Sequence, residues 1–171
     1  MTIRVLRPED KAAYRDEMRA MMEKSDREFV PPLSFRASTV QKDLAGGTPG
    51  DVGPYFGEMM KQEIIAAFDG NDLLGYLSYK KDYVNDVIGK ESLPNLYLST
   101  LISKQEARGR GLGAALFLEL MQVIYPDRNV FTRTWSTNAV QIHILGKLGF
   151  HEIHRVKDGR GPGIDTVYYR A

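Results

Sequence analysis

Cysteine is absent from this chain of 171 residues, which excludes a disulfide framework, a thiolate metal site and a catalytic thiol. An excess of either charge is absent too, the formal net charge being +1. A chain so balanced has no general attraction for nucleic acid or for an anionic membrane surface, and neither is expected as a partner. No apolar run is long enough to span a bilayer, and Met1 to Arg7 alternates apolar and polar residues where a secretory signal would carry an apolar stretch. A cytoplasmic location is the resulting expectation. Low-complexity tracts and internal repeats are missing, and no metal site is expected. What is present, 43% apolar and 26% charged residues, suits one core and one domain over residues 1–171.

Strand patterns are read over Thr2 to Arg7, Glu63 to Asp69, Leu73 to Tyr83, Leu96 to Ile102, Asn129 to Trp135, Phe150 to Val156 and Ile164 to Tyr169. Gly70-Asn71-Asp72 reads as the tight turn of a hairpin. Helical spacing follows Pro8-Glu9-Asp10, with Ala13, Met18, Met21 and Met22 on one helix and the methionines read as gap-filling core. A second helix carries Leu112, Ala115, Leu116, Leu120, Val123 and Ile124 up to Pro126, and a third starts at Ser136-Thr137-Asn138 and ends at Gly149. Between Phe29 and Gly57 the periodicity breaks down under Pro31-Pro32, Gly46-Gly47-Thr48-Pro49-Gly50 and Gly53-Pro54, with a short helix expected from Thr39 to Ala45. Alternating strands and helices give a mixed α/β fold class.

The stretch the chain is organised around is Gln105-Glu106-Ala107-Arg108-Gly109-Arg110-Gly111-Leu112-Gly113, a turn between a strand and a helix. The first N–H groups of a helix lack intrahelical partners and carry the positive end of its dipole, so such a turn attracts anions. Glycines at alternate positions let an anion approach the backbone, and Arg108 and Arg110 add charge; phosphate or pyrophosphate is the natural guest. A nucleotide triphosphatase loop would need Lys-Ser/Thr after Gly113, where Ala114-Ala115 stands. Gly109-x-Gly111-x-x-Ala114 satisfies the letters of a dinucleotide fingerprint, with Asp127 as a ribose acid, but the polar segment Ser103 to Arg108 separates the glycines from the strand.

Arg108-x-x-Gly111-x-Gly113 resembles the pyrophosphate-binding motif of the GCN5-related N-acetyltransferases (GNAT), and Asn138 to Phe150 is similar to that family's second motif, an Asn-initiated helix ending in Lys-x-Gly-Phe. The two stand in register and cover roughly residues 96 to 157. The resemblance implies a single domain built on a twisted mixed sheet of about seven strands flanked by helices. It implies acetyl-coenzyme A as acyl donor, bound by 96–157, and a primary amine of a small molecule as acceptor, bound on the side of 29–62. Leu101, Ile102 and Ser103 would hold the pantetheine arm, with the Ile102 backbone N–H polarising the thioester carbonyl. Arg108, Gly109, Arg110, Gly111, Leu112 and Gly113 would hold the pyrophosphate, and Asn138 would reach the pantetheine. Pairing with a second copy is also implied.

Phe29, Phe35, Tyr55 and Phe56 are candidates for the acceptor pocket, or aromatics that pin the loops onto the core. Arg160 and Asp158, in an expected loop from Lys157 to Gly163, would read the acceptor or stand solvated. Two departures bear on catalysis. Leu96 to Ser103 contains no carboxylate to serve as the family's base, and Leu145 stands where the resemblance places an acidic tyrosine. His143, Tyr97, Tyr168 and Glu58 qualify by residue type only. Without that tyrosine, a coenzyme-A-binding sensor with little turnover is the other function class, and a peptide amine the other acceptor class.

Overall fold

Gly70 takes φ +58° and turns the chain back on itself, so the apolar runs it joins become β2 (Glu63–Asp69) and β3 (Asp72–Lys81). The computed structural model describes residues 1–171. With β1 (Thr2–Val5), β4 (Asn95–Ser103), β5 (Asn129–Trp135), β6 (His151–Gly161) and β7 (Ile164–Arg170) they form one seven-stranded sheet, ordered β1-β2-β3-β4-β5-β7-β6. β4 and β5 run parallel, whereas β1–β2, β5–β7 and β6–β7 are antiparallel. The helices are α1 (Pro8–Ala13), α2 (Arg15–Ser25), α3 (Gly53–Met60), α4 (Leu112–Leu118) and α5 (Ala139–Lys147). None is long and apolar enough to cross a membrane. The residues group into two compact units, Met1–Ser78 with Thr100–Leu116, and Tyr79–Ser99 with Phe117–Ala171.

In the first unit, the single helix expected after Pro8 is two, broken at Tyr14 (φ −99°, ψ 7°). Met18, Met21 and Met22 of α2 pack with Phe56 and Met59 of α3, Ile64 and Ala66 of β2, Tyr76 of β3 and Ile102 of β4, as the gap-filling reading expects. The Tyr76 hydroxyl is buried there and donates to the Met18 carbonyl at 2.8 Å. The helix expected from Thr39 to Ala45 is only a single 3-10 turn, Gln41–Asp43. α3 went unforeseen, because Gly53-Pro54 reads as a breaker. In fact Pro54 sits in the first turn, where a missing N–H costs nothing.

At the start of α1, Asp10 accepts the Arg7 backbone N–H at 3.1 Å and pairs with Arg4 at 2.8 Å. The Arg4 guanidinium, with the Arg7 N–H, holds this carboxyl down to about 2. A folded value below the unfolded one of about 3.9 stabilises the fold above that pH, and the contribution disappears as pH falls through about 2. Urea midpoints of wild type and Asp10→Asn should therefore differ at about pH 5 and converge near pH 2.

In the second unit, Asn95 is buried at the start of β4 and fully used: its Oδ1 accepts from Tyr83 N at 2.9 Å, and its Nδ2 donates to Tyr83 O and Ser92 Oγ, both at 2.9 Å. This network ties down the polar connection that precedes the strand. α4 continues as π-helix from Glu119 to Ile124. The wider turn shifts the helical phase, and Val123, expected on the buried stripe, is 64% exposed. The loop expected from Lys157 to Gly163 is mostly strand: β6 runs to Gly161, with a register shift between Val156 and Gly161 and a tight turn at Pro162-Gly163.

Candidate active site

β4 carries a bulge. Asp82 N donates to Asn95 O at 3.0 Å and Lys104 N to Leu74 O at 2.9 Å, so β4 uses one residue more between these bonds than β3 does. The bulge reverses which amides point to which edge. Because alternate residues share an edge, the Ile102 N–H lies on the same side as that of Lys104, facing β3. The amides of Leu101 and Ser103 lie on the edge away from β3. This corrects the expectation for Ile102: its side chain is buried in the core and its N–H belongs to the β3 edge, so the outward amides are those of its two neighbours.

The parallel ladder of β4 with β5 covers Asn95↔Asn129 to Leu98↔Thr132 and stops, although both strands run on. At this fork Thr132 Oγ1 donates to the Leu98 carbonyl at 2.9 Å.

Past β4, the chain turns through Gly109 and Gly111, both at φ +74°, into α4. A Cβ at either glycine would meet no atom within 4 Å, so both need glycine for their backbone conformation and both face open space. Gly113 is different. A Cβ there would lie 3.0 Å from Leu101 Cδ2, so its small size serves packing of α4 on β4 and not access for an anion. The Arg108 guanidinium is held by both oxygens of Glu28, at 3.0 and 2.9 Å, and NH2 also donates to the Ser103 carbonyl at 3.4 Å. Arg110 is exposed.

The sequence and its fold have counterparts among known proteins. The model of the acetyltransferase (GNAT) family matches residues 18–150. The chain belongs to the GNAT family. No curated protein matches it. Among solved structures, a ribosomal-protein-alanine N-acetyltransferase from Brucella melitensis shares 16% identity and a TM-score of 0.68, over 100% of this chain and 99% of that one. An N-acetyltransferase from Staphylococcus aureus shares 13% and 0.67, over 99% and 96%. A phosphinothricin acetyltransferase from Sinorhizobium meliloti, solved in complex with acetyl-coenzyme A, shares 17% and 0.65, over 99% and 86%. At these identities the likeness is one of fold.

In this GNAT chain the second motif is built as expected. Asn138 caps α5, its Oδ1 accepting from Gln141 N at 3.4 Å and its Nδ2 donating to Thr134 Oγ1 at 2.9 Å. Gly149 closes the helix at φ +85°. Leu145 is fully buried and supplies no acid. His143 is exposed on α5. Glu58 pairs with Lys61 at 2.7 Å. Tyr97 and Tyr168 are buried, and burial pushes the Tyr97 phenol above its ordinary value, against the pull of Arg133.

The acceptor-side aromatics separate. Phe35 is 43% exposed and borders a shallow concavity with Asp26, Arg27, Pro32, Ser34, Pro49 and Gly50. Phe29 packs partly buried against the core. Tyr55 and Phe56 are core residues, a correction to the pocket reading: they lie on the inner face of α3, a helix the sequence did not reveal. The Tyr55 hydroxyl bonds Thr100 Oγ1 of β4 at 2.6 Å. Asp158 is a turn former, accepting from Gly163 N at 2.7 Å. Arg160, expected in an overhanging loop, is 7% exposed because β6 continues through it; its Nε donates to Thr166 Oγ1 at 2.9 Å. Sequence reasoning missed Arg36, which is buried and donates to the Pro31 carbonyl through Nε at 3.0 Å. Nothing in its local sequence signals that role.

Glu28 competes with any anion for Arg108. Removing its charge in Glu28→Gln should tighten coenzyme A binding up to about fivefold, the worth of one exposed ion pair, read by calorimetric titration.

Proposed function

We propose that this chain transfers the acetyl group of acetyl-coenzyme A to a primary amine of a small molecule, acting as one domain over residues 1–171 in the cytoplasm. The observation that carries the reading is the end of the β4–β5 ladder at Leu98↔Thr132 while β4 runs on to Ser103. A strand end with outward amides is a template for the amide groups of a pantetheine arm, much as an extended peptide adds to a sheet edge. Leu101 and Ser103 provide those amides, in place of Ile102, and one of them polarises the thioester carbonyl. Gly109, Gly111, Leu112 and the start of α4 hold the pyrophosphate through backbone N–H groups, with Arg108 and Arg110 supplying charge. Gly113 contributes by letting α4 approach Leu101. Asn138 holds α5 in place and presents the pantetheine contact implied by the second motif. Residues 29–62 form the acceptor side, with Phe29 and Phe35 as its aromatics.

The amine nitrogen attacks the thioester carbon, the C–S bond breaks, and the thiolate leaves and takes up a proton. An alkylamine with a reference value of about 10.4 must first lose its own proton. Neither a strand carboxylate nor a tyrosine at position 145 is present to help. Positioning and the backbone contact therefore carry the catalysis, with protons passing through water. The buried leucine at 145 also favours a second reading, a coenzyme-A-binding sensor. Thiol release from acetyl-coenzyme A against polyamines, amino acids, aminoglycosides and peptide amino termini separates the two. Acceptor-dependent release is the expected result; binding with no release across the panel sinks the transferase reading. Release with peptide termini alone would move the acceptor to a peptide amine.

A further inference from the structure

Asp26 opens the 3-10 turn Asp26–Glu28 and is 8% exposed. Its Oδ1 accepts the Ser34 backbone N–H at 2.7 Å and its Oδ2 the Ser34 hydroxyl at 2.6 Å. Both donors are neutral, so they orient the carboxylate without cancelling its charge. Glu28, two positions on in the same turn, points elsewhere. At three residues per turn the two side chains stand about 240° apart, and Glu28 reaches Arg108.

The Asp26 carboxylate lines the concavity that Phe35 borders, a space of about 510 Å³ and so of a size for a small ligand. Backbone contacts hold its two sides together. Gly47 N donates to the Phe35 carbonyl at 2.9 Å, and a Cβ at Gly47 would collide with the Ser34 carbonyl oxygen. The segment that carries Pro49 and Gly50 therefore lies directly on the 3-10 turn Leu33–Phe35. Pro32 on one side and Pro49 on the other have φ fixed by their rings, which lowers the cost of ordering the walls around a guest.

Charge and ring select the same guest. A buried carboxylate gains most from a cation that brings its own N–H donors, and the face of an aromatic ring attracts that cation as well. Phe35, at 43% exposure, offers such a ring. Arg27 also lines the concavity, but it is exposed, and water and salt screen its charge more than that of Asp26. Location supplies the rest. These residues belong to the first unit, as do Leu101, Ser103 and Arg108. Glu28 holds the Arg108 guanidinium, whose NH2 also donates to the Ser103 carbonyl at 3.4 Å. A short chain of contacts thus joins the turn bearing Asp26 to the strand end where acetyl transfer is placed.

We infer that the acceptor carries a second cationic group besides the amine that is acetylated, and that Asp26 holds this group beside the Phe35 ring. The inference rests on the transferase reading above and narrows its acceptor to diamines and polyamines.

The test compares kcat/KM for α,ω-diaminoalkanes of graded length with those for n-alkylamines of matching length, in wild type, Asp26→Asn, Ser34→Ala and Phe35→Ala. With both amino groups counted, diamines should exceed monoamines at least about tenfold. Asp26→Asn should raise KM for diamines by the same factor and leave KM for monoamines and for acetyl-coenzyme A unchanged. Ser34→Ala takes a bond from Asp26 but leaves its charge, so the diamine preference should persist. Phe35→Ala, at an exposed position with little risk to folding, should raise the diamine KM about two- to fivefold. If Asp26→Asn does not fold, Phe35→Ala carries the test, and a diamine KM unmoved there removes the site. Equal rates for diamines and monoamines, a preference for amines bearing a carboxylate, or an equal loss on both classes in Asp26→Asn overturns the cation site while leaving the transferase intact. A diamine preference lost equally in Ser34→Ala and Asp26→Asn makes Asp26 a support of the turn and overturns it too. If acetyl-coenzyme A binds and no amine is turned over, the transferase reading fails instead. Diamines and monoamines are then compared by calorimetric titration into the acetyl-coenzyme-A-loaded protein, where a diamine preference abolished by Asp26→Asn keeps the cation site and its absence removes it.

Discussion

Gly111→Val should abolish coenzyme A binding. The residue sits at φ +74°, a region that costs an ordinary side chain about 1–2 kcal/mol and a β-branched one more. Its carbonyl accepts the Ala115 N–H at 2.9 Å and so helps open α4. A Cβ here meets no protein atom within 4 Å, and the branched side chain it carries would enter the space proposed for the pyrophosphate. Stability without ligand should fall by about 2 kcal/mol or more, whereas the ligand-induced gain should vanish altogether. Wild type with coenzyme A at a hundred times its dissociation constant should gain about 2.7 kcal/mol, and the variant nothing at the same concentration. Gly109→Ala tests the same geometry more gently, with a smaller cost to folding and a partial loss of binding. A full thermal shift retained in Gly111→Val would remove the pyrophosphate from this turn.

Phe56→Ala should be the most destabilising single substitution on the acceptor side. The ring is 1% exposed, packs in the cluster of α2, α3 and β2, and lies under the Arg15 guanidinium at 5.2 Å from its centroid. Emptying such a site costs about 3–5 kcal/mol, the lost transfer energy plus the cavity left behind. At roughly 2–4 °C per kcal/mol for a chain of this size, the melting temperature should drop by about 10 °C. KM for the acceptor, measured where the variant is still folded, should not move. A raised KM with an unchanged melting temperature would instead make Phe56 a pocket wall. Phe35→Ala provides the contrast, since that ring is exposed and its loss should leave stability nearly unchanged.

The fate of these two aromatics illustrates what could be read in advance. Both are pocket candidates by residue type within a segment dense in proline and glycine, and nothing in that segment separates a ring on the inner face of α3 from one at the surface. The separation came from α3 itself, whose start at Gly53-Pro54 looks like an interruption until the helix is seen to bury Tyr55, Phe56 and Met59 together. Arg160 makes the same point for charge. Loop arginines are ordinarily solvated, but a strand extended by irregular pairing carries this one under the sheet face beside Trp135. The Arg108–Glu28 pair joins residues far apart in the chain, and no local pattern announces it.

By itself the sequence determined the parts whose physics is local. The glycine turn follows from positive φ at Gly109 and Gly111, the start of α5 from the Asn138 side chain reaching Gln141 N, its end from Gly149, and the β2–β3 hairpin from Gly70-Asn71. Each is settled within a few residues by backbone sterics or one capping bond, and the family's two motifs are made of such features. Tertiary structure alone decided which amides of β4 face outward, because the bulge exists only relative to the bonding of β3. It likewise decided that Val123 points to solvent and that Asp26, Ser34 and Phe35 border one concavity. Register, helix phase and burial are properties of pairs of segments, set by whichever distant residues the chain packs against, and a single segment read along its own length does not contain them.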